Sequence, residues 1–507
     1  MAFLSRKKVA LWQACLALLT STAACANSTL FERGTVISFD DATKTPKVLR
    51  NTSLLITGDR IAAIFDDSQN VTIPAGTERI SAEGKILTPG FVDTHRHGWQ
   101  TAYKTLGSNT TLAEYFARYG EFTQASTVFS AEDVYLGQLV GIYEALNSGV
   151  TSILEHAHAT FSNDTASAYL NASIDSGVRM WWCYAFHELD NGFSVADQMA
   201  NFRELNTGLS ARQDNSLVEM GMAYDAFASA DADEIQAVIE LANTSNITAF
   251  TTHFLGGPWF DANSPTLFST LSFLNTTFPI IFSHASYITP ADVSLLRSHN
   301  HYISTTPESE MHYGHDHADG ALAQDQAALG VDTHFTYSTD IIGQARMWLQ
   351  SARLQFFRAT LQQWRIPSKS PMSVDQAFLL ATRAGGQALW RDDVGVLTVG
   401  AKADVVVFDG DSPNMLGWVD PVAAVILHSH VGDVRHVLVG GEWRKRDGEL
   451  VVENRAEVEK RFLESARRIQ KVWLETELPV LEGEYQNGVE YGETYRMDVV
   501  RGDGTGY

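Results

Sequence analysis

The spacing of apolar residues changes along the chain and indicates segments of different character. Short alternating runs fill residues 30–87, where Gly34–Phe39 predicts a strand and Ser53–Ile64 predicts a hairpin with Gly58-Asp59 at its turn. A β pattern returns near the C-terminus, and a helical pattern and a tail rich in glycine and tyrosine follow it. Two ends with β character therefore enclose a longer middle part.

The middle part alternates between apolar strand-like runs and stretches with the period of a helix, such as Ala131–Ser148, Asp231–Asn243 and Pro290–Ser298. Eight β/α units of this length predict a (β/α)8 barrel, an α/β fold whose active sites lie at the carboxyl ends of the strands. The predicted strands are Leu87–His97, Val150–His156, Val178–Tyr184, Val218–Tyr224, Ala249–His253, Pro279–His284, His301–Thr306 and His334–Asp340.

The first 26 residues have the features of a secretory signal peptide. A basic segment at Arg6–Lys8 precedes an apolar run, and Ala24–Ala26 forms a cleavage site of small residues. Removal of this segment leaves Cys183 as the single cysteine, so we expect no intrachain disulfide. Asn-x-Ser/Thr sites predict a glycoprotein that is secreted or resides in the secretory lumen. These sites start at Asn27, Asn51, Asn70, Asn109, Asn163, Asn171, Asn243, Asn246 and Asn275.

Charge and composition restrict the class of partner. The formal net charge of −23 argues against nucleic acid and anionic membrane as partners. The length of 507 residues, of which 45% are apolar, is sufficient for a large core and more than one domain. We expect a small-molecule substrate, no nucleic acid and no membrane contact after signal cleavage, and we leave a homodimer open.

The first predicted barrel strand ends in His95-Arg96-His97 and carries the clearest chemical signal. Alternate side chains of a strand share a face, so both imidazoles can bind one metal ion. The stretch Pro-Gly-Phe-Val-Asp-Thr-His-Arg-His over residues 89–97 resembles the first barrel strand of the amidohydrolase superfamily. Its nearest branch contains cytosine deaminase, chlorohydrolase and imidazolonepropionase-like enzymes.

A second stretch, Gly395–Asp404, resembles the segment in which such chains return to a β-sandwich that their N-terminal residues begin. The resemblance therefore implies a barrel with a small β-sandwich domain formed from N- and C-terminal segments. The predicted boundaries are a signal peptide at 1–26, sandwich segments at 27–87 and 390–450, the catalytic barrel at 88–389, and a C-terminal helix and tail at 451–507.

The resemblance also implies one divalent metal ion, zinc or alternatively iron, bound by imidazole and carboxylate groups. His95 and His97 come from strand one, His253 from strand five and Asp340 from strand eight. His284, from strand six, is either a ligand or a group that contacts water and substrate. In the implied mechanism Asp340 accepts a proton from water, and His284 stabilises the developing charge.

Two absences limit the choice of mechanism. No lysine occurs between Lys104 and Lys369, which excludes a carboxylated lysine as a metal bridge and favours a single-metal site, with Glu219 as the remaining bridging candidate. Family deaminases often carry a glutamate three residues after the strand-five histidine, but here Gly256 follows His253 at that distance. A proton shuttle must then come from Asp340, His284, Glu155, Glu308 or Glu310.

Several residues just past the strand ends are candidates for substrate contact, and these are Trp99, Gln100, Trp259, Glu308 and His312. Packing or solvation in a loop is the alternative for each. A further cluster, His312, His315 and His317, is either a second metal site or a flexible loop rich in histidine.

These observations predict a secreted, metal-dependent hydrolase. The bond broken is a C–N bond, other than a peptide bond, in a cyclic amide, an amidine or an amino-heterocycle. The alternative is lyase, decarboxylase or ring-forming chemistry at the same metal, which the missing glutamate keeps open.

Overall fold

The computed structural model describes residues 28–212, 217–485 and 487–494. The predicted signal peptide and the last part of the glycine- and tyrosine-rich tail lie outside the described residues. Within these ranges, no helix is both long and apolar enough to cross a membrane.

The secondary structure consists of strands and helices that alternate in the middle of the chain. The strands are β1 (Ser28–Asp40), β2 (Thr45–Thr57), β3 (Arg60–Phe65), β4 (Glu78–Ser81), β5 (Ile86–Pro89), β6 (Phe91–Arg96), β7 (Val150–Ala157), β8 (Arg179–Phe186), β9 (Val218–Tyr224), β10 (Phe250–Leu255), β11 (Ile280–Ser286), β12 (Tyr302–Thr305), β13 (Ala327–Leu329), β14 (Val405–Phe408), β15 (Val434–Val439), β16 (Glu442–Arg446) and β17 (Glu449–Leu450). The α-helices are Leu112–Arg118, Ala125–Val128, Ala131–Asn147, Asn163–Ser176, Val195–Ser210, Ala232–Thr244, Pro265–Thr270, Pro290–His299, Pro307–Tyr313, Gly320–Ala323, Ile341–Gln362, Val374–Ala381, Arg383–Ala388, Pro421–Ala423 and Arg455–Glu475. Short 3-10 helices cover Gly98–Tyr103, Gly257–Trp259, Gln324–Gln326 and Val431–Asp433, and a π-helical turn covers Ala424–His428.

Strands β6 to β13 form one parallel sheet in chain order, and the sheet closes into the predicted (β/α)8 barrel. Every residue of β7 and β8 is buried, as expected when helices cover one face of a strand and the barrel interior covers the other. The barrel closes where the first and last strands meet, and we call this contact the seam. There the backbone N–H groups of Val331 and Asp332 donate to His95 O at 3.0 and 2.8 Å, and Asp93 Oδ1 accepts a hydrogen bond from Val331 N.

Helices between the strands begin at residues that the local sequence supplies as caps. Ser130 and Asp133 form a reciprocal capping box at the start of Ala131–Asn147, and Thr289 and Asp292 do the same for the helix that starts at Pro290. Each box satisfies backbone N–H groups that would otherwise lack a partner at the helix start. The caps mark where the helices start, and the boundaries that the apolar period predicted agree with the structure within a residue or two.

The two ends of the chain build the second domain together, as predicted. Its mixed sheet has the strand order β17-β16-β15-β14-β5-β1-β2-β3, with β4 paired to β1. Phe31, Val36 and Leu54 from the N-terminal part share a small buried core with Val405 and Leu438 from the C-terminal part. Strand β5 pairs with β14 in this sheet, and Gly90 alone separates it from the first barrel strand. The small domain is thus joined directly to the strand that carries His95.

One predicted strand is wrong. The eighth barrel strand is β13, only three residues long, whereas the segment His334–Asp340 forms turns and the start of a helix. An alternating pattern in Phe335–Thr339 imitated a strand, while Ala327–Leu329 is too short to give a periodic signal. This shift moves the end of the last strand away from Asp340.

Candidate active site and metal centre

Two histidines and an aspartate meet at the seam. His95 lies in β6 and His97 directly follows it; both rings are buried, and their centroids are 4.7 Å apart. Asp332 comes three residues after β13, and its Oδ1 lies 3.5 Å from His95 Nε2 and 3.2 Å from His97 Nε2. Barrel closure therefore places a carboxylate beside both imidazoles.

His253, in β10, adds a third imidazole to this group. Its Nε2 is 3.3 Å from His97 Nε2, and its ring centroid is 4.9 Å from that of His95. Asp225, the residue after β9, accepts a hydrogen bond from His253 Nδ1 at 2.9 Å and another from the His253 backbone N–H at 2.7 Å. Asp225 therefore fixes the ring so that Nε2 faces His97.

The other two imidazoles are anchored in the same way. His95 Nδ1 is 2.8 Å from Ser283 Oγ, and His97 Nδ1 is 3.0 Å from the backbone oxygen of His156. When Nδ1 donates to such a partner, the tautomer is fixed and Nε2 keeps a free lone pair. This is how histidines that bind metal through Nε2 are usually held.

The donor atoms fit a divalent ion. His95, His97 and Asp332 form one set of potential ligands, and His95, His156 and His253 form another, each with its ligand atoms within 4.8 Å of one another. His95 Nε2 is buried and has no hydrogen-bond partner among the described residues. Imidazole nitrogens and one carboxylate oxygen at these spacings suit zinc. The residues predicted from strands one and five thus lie together.

The electrostatics of the two carboxylates agree with a cationic centre. Burial alone would raise the pKa of Asp225, but the imidazoles of His253 and His156 outweigh it and hold this pKa well below its ordinary value. Burial would also raise the pKa of Asp332, but the imidazoles of His95 and His97 beside it likewise hold this pKa well below its ordinary value. Both groups are therefore ionised at neutral pH and favour positive charge beside them.

His156 and Asp225 also contact this group of histidines, although neither was predicted as a site residue. His156 lies near the end of β7, and its ring centroid is 4.4 Å from that of His253. Its Nε2 is 3.2 Å from Asp225 Oδ2. A polar residue at a strand end was the available signal for both, since Asp225 directly follows the predicted strand Val218–Tyr224. Glu219, the proposed bridging candidate, instead contacts Arg391 at 3.0 Å and does not belong to either ligand set.

Asp340 requires a correction. Its side chain caps the helix Ile341–Gln362 and accepts a hydrogen bond from Ile342 N at 3.0 Å. Burial raises its pKa, and the charged groups that act on it are Arg346 and His430, not the histidines of the candidate metal centre. The carboxylate that lies beside His95 and His97 is Asp332 and not Asp340, because the last strand ends earlier than predicted.

His284, in β11, lies beside the ligands but outside both ligand sets. Its ring centroid is 5.1 Å from that of His95, and its Nδ1 is 2.9 Å from Thr306 Oγ1. The backbone has φ of 68° at His284, and the pairing register with β10 shifts at this point. Such irregularities redirect side chains next to active sites. His284 lines the cavity above the ligand group.

The remaining proton-shuttle candidates have structural partners. Glu155 is buried and accepts hydrogen bonds from Gly98 N and from the Tyr169 hydroxyl. Glu310 is buried as well and contacts Thr306 and His317. Both carboxylates lie outside the cavity lining.

The predicted substrate contacts also lie away from the cavity. Trp99 is fully buried and donates to His158 Nδ1, and Gln100 donates to the Tyr115 hydroxyl, so both support the wall from behind. Trp259 contacts Tyr485 in the C-terminal tail. In a separate region, Glu308 hydrogen-bonds Gln344, and His312 contacts the backbone oxygen of Gly107.

The cavity next to the ligand group is narrow, about 90 Å³. Its walls combine aromatic rings, histidines and four carboxylates, which are Glu121, Asp225, Asp261 and Asp332. His315 belongs to this wall, with its ring 4.7 Å from that of His284, so it is neither exposed nor part of a ligand set. A larger surface cavity of about 510 Å³ lies beside Trp348 but contains none of the ligand residues.

Comparisons with known proteins agree with this architecture. A 5'-deoxyadenosine deaminase of Methanobrevibacter smithii is 24% identical over 417 residues, which cover 80% of this chain and 88% of that protein. A 5-methylthioadenosine/S-adenosylhomocysteine deaminase of Pyrococcus horikoshii is 22% identical over 427 residues, with coverages of 81% and 94%.

Solved structures show the same fold. An adenosine deaminase from Xanthomonas campestris with bound zinc has a TM-score of 0.74 at 18% identity, covering 88% of this chain and 99% of that chain. A Glu-to-Gln mutant of atrazine chlorohydrolase from Arthrobacter aurescens TC1, in complex with zinc and atraton, also has a TM-score of 0.74 at 18% identity, with coverages of 86% and 100%.

The family assignment follows from a direct match. The model of the amidohydrolase family matches residues 86–444, which include the last strand before the barrel, the whole barrel and most of the returning sheet. The predicted barrel, the second β domain and the group of histidines with a carboxylate at the strand ends all agree with this match. The chain is an enzyme that belongs to the amidohydrolase family.

Proposed function

We propose that the protein hydrolyses a C–N bond in a cyclic amide, an amidine or an amino-heterocycle. The observation that carries this proposal is the convergence of three imidazole Nε2 atoms and Asp332 beside a cavity at the strand ends. His95, His97, His253 and Asp332 would hold one divalent ion, with zinc as the first choice. Such an ion, when bound, lowers the pKa of water to about 7 and so supplies a nucleophile at neutral pH.

Asp332 has the geometry of a proton acceptor. Its Oδ1 faces His95 and His97, while its Oδ2 accepts a hydrogen bond from Ser309 Oγ. The carboxylate is therefore held in one orientation at the cavity wall. In the proposed reaction it takes a proton from water and returns it to the departing nitrogen.

His284 orients water or substrate. Thr306 Oγ1 donates to Glu310 Oε1, so it accepts from His284 Nδ1–H and leaves Nε2 of that ring as an acceptor. Burial lowers the pKa of His284 well below its ordinary value, which keeps the free ring neutral. As an acceptor, Nε2 of this neutral ring can hold a water molecule or an N–H group of the substrate in place.

The second candidate function is a non-hydrolytic reaction at the same centre. Gly256 has no side chain at the place where family deaminases often have a proton-shuttling glutamate, and this favours chemistry in which metal and histidine act as acid and base alone. Lyase, decarboxylase and ring-forming reactions belong to this class.

One experiment separates the two candidates. Purified, zinc-loaded full-length protein would be incubated with a panel of cyclic amides, amidines and amino-heterocycles in ¹⁸O-labelled water. Hydrolysis predicts release of ammonia or an amine and one ¹⁸O atom in the product. Turnover without ¹⁸O incorporation would reject the hydrolase proposal and support the second candidate.

A further inference from the structure

The four carboxylates of the cavity differ in whether they contact the imidazoles of the candidate metal centre. Asp225 and Asp332 contact the imidazoles of the candidate metal centre. Glu121 and Asp261 line the same cavity, and no imidazole of the described residues lies within hydrogen-bond distance of either carboxylate. No lysine or arginine side chain of the described residues lines the cavity. Two acidic groups therefore face the space that a substrate would occupy.

Glu121 is a buried carboxylate in the cavity wall. It is 8% exposed, and its own backbone N–H donates the hydrogen bond that lowers its pKa. His158 Nε2 lies 3.9 Å from Glu121 Oε2, beyond hydrogen-bond distance. His158 is held in place by Trp99, whose Nε1 donates to Nδ1 at 2.9 Å. A buried carboxylate is costly to leave ionised unless a cation pairs with it.

Asp261 is held rigidly next to the metal centre. Its Oδ1 accepts a hydrogen bond from Asn263 Nδ2 at 2.8 Å, and the same amide group donates to the backbone oxygens of Asp225 and His253. The backbone oxygen of Asp261 also accepts a hydrogen bond from Leu255 N at the end of β10. These contacts leave Asp261 Oδ2 available to a molecule in the cavity.

Burial has the same consequence for both groups. It raises the pKa of Glu121 and raises that of Asp261 well above the ordinary value. A bound cation would favour the ionised forms and offset their desolvation, whereas a neutral or anionic molecule would not. Planar amidinium groups suit two carboxylates because their N–H donors form charge-assisted hydrogen bonds in one plane.

The size and lining of the cavity further restrict the class of substrate that it can bind. A volume of about 90 Å³ is small beside the roughly 300–1,000 Å³ usual for ligand pockets. Tyr115, Phe116, Phe122 and Tyr313 provide flat aromatic surfaces, which also attract cations. A compact planar cation satisfies these features better than a nucleoside of the kind named for the relatives.

We propose that the substrate is a small planar cation, an amidinium or a protonated amino-heterocycle, bound between the carboxylates of Glu121 and Asp261. The inference rests on the proposed C–N hydrolysis for its reaction, but the binding preference can be measured without turnover. Glu121 and Asp261 would then select the substrate while the histidine group acts on its C–N bond.

The test uses two probes of nearly the same shape, benzamidine and benzamide. Calorimetric titration of the zinc-loaded full-length protein at pH 8 should show benzamidine binding at least about tenfold more tightly than benzamide. Glu121→Gln and Asp261→Asn should each weaken benzamidine binding several-fold and leave benzamide binding unchanged. Glu114→Gln is the matched control, since Glu114 lies near Glu121 in the chain but outside the cavity lining, and it should retain the preference.

Equal affinity for the two probes would overturn the inference, and so would a full preference for benzamidine in the Glu121→Gln/Asp261→Asn double variant. Zinc content and circular dichroism establish that each variant is folded. Hydrolysis of neutral substrates with no preference for benzamidine would reject the inference and leave the proposed function intact. A clear preference without any C–N hydrolysis would reject the proposed function and leave the binding inference intact.

Discussion

At the scale of single residues, Asp332 is the carboxylate to which we assign both metal binding and proton transfer. Asp332→Asn keeps the shape and the contact with Ser309 but removes the base, so turnover should fall by about 10²–10⁴-fold. Steady-state kinetics with the substrate found in the labelled-water screen, together with zinc analysis, would measure this. Near-native turnover with zinc bound would contradict the assignment.

Asp340→Asn is the control for the Asp332 variant. Asp340 caps a helix, and asparagine caps helices about as well as aspartate does, so turnover and stability should both stay near those of the unchanged protein. A large loss of turnover in this variant would return the proton-transfer role to Asp340.

Asp225 should act through His253. Asp225→Asn replaces the acceptor for His253 Nδ1 and lets the ring change its tautomer, so zinc affinity should fall by about 10–100-fold. Competition titration with a chelating dye would give the zinc dissociation constant, with Asp231→Asn, a helix cap elsewhere, as the control. Unchanged zinc affinity would show that His253 does not need this anchor.

Glu308 should make stability depend on pH. Burial raises its pKa from 4.5 to about 7, so the Glu308 carboxyl group binds a proton more tightly in the folded protein than in the unfolded chain. Its contribution to stability is therefore complete below about pH 4.5 and is lost as the pH rises through about 7. Glu308→Gln should raise the free energy of unfolding at pH 8.5, by at most about 3 kcal/mol, and change it little at pH 4.5.

Denaturation with urea at both pH values would measure this difference. A change of equal size at the two pH values would contradict the titration of Glu308 as its cause. Turnover should stay unchanged, because Glu308 lies outside the cavity lining.

The residues of the site could be predicted to different degrees, and the reason is physical. His95 and His97 are recognisable because a strand places alternate residues on one face, so two ligands lie close together in the sequence. Asp332 and Asp225 come from loops just after strands, where no period marks them, and their place depends on tertiary contacts. Trp99 illustrates the converse, since an aromatic residue past a strand end is equally suited to core packing.

At the scale of secondary structure, long elements were predictable and short ones were not. The C-terminal helix lies where it was predicted, between residues 451 and 507, because the 21 residues of Arg455–Glu475 carry a clear apolar period. Strand β13 has three residues, fewer than two periods of a strand, and its identity depends on backbone pairing with β12 and the seam. The error at Asp340 follows from this single short strand.

The C-terminal helix packs against the segment between β6 and the helix Ala131–Asn147, and part of this segment lines the cavity. Trp473 is fully buried, its Nε1 donates to Arg118 O, and its ring packs against Tyr103 and Phe129. Trp473→Ala should therefore lower the free energy of unfolding by about 3–5 kcal/mol. It should also loosen the region around Leu112–Arg118, which hydrogen exchange would detect.

The neighbouring residue provides the control for this helix. Leu474 is 72% exposed, so Leu474→Ala should change stability by no more than about 0.5 kcal/mol. Similar losses in both variants would mean that the effect does not come from the burial of Trp473 against Tyr103 and Phe129.

At the scale of the whole molecule, we propose that the chain enters the secretory route and carries N-glycans. Eight of the nine Asn-x-Ser/Thr sites lie in the described residues, and all eight asparagines are exposed, which supports this proposal. Protein from the native host should start at Asn27 and lose mass when treated with a glycosidase. N-terminal sequencing and intact mass would check this, and a retained Met1 without glycans would contradict it.

The seam has a consequence for the biosynthesis of the enzyme. His95 and Asp332 stand at opposite ends of the barrel sequence, so a ribosome must extend the chain past β13 before both can meet. The loop that closes between them is long, and its entropic cost is met only when the last strand pairs with the first. Until translation has passed β13, the nascent chain cannot place Asp332 beside His95 and His97, so we expect it to be unable to bind the ion or carry out the proposed reaction.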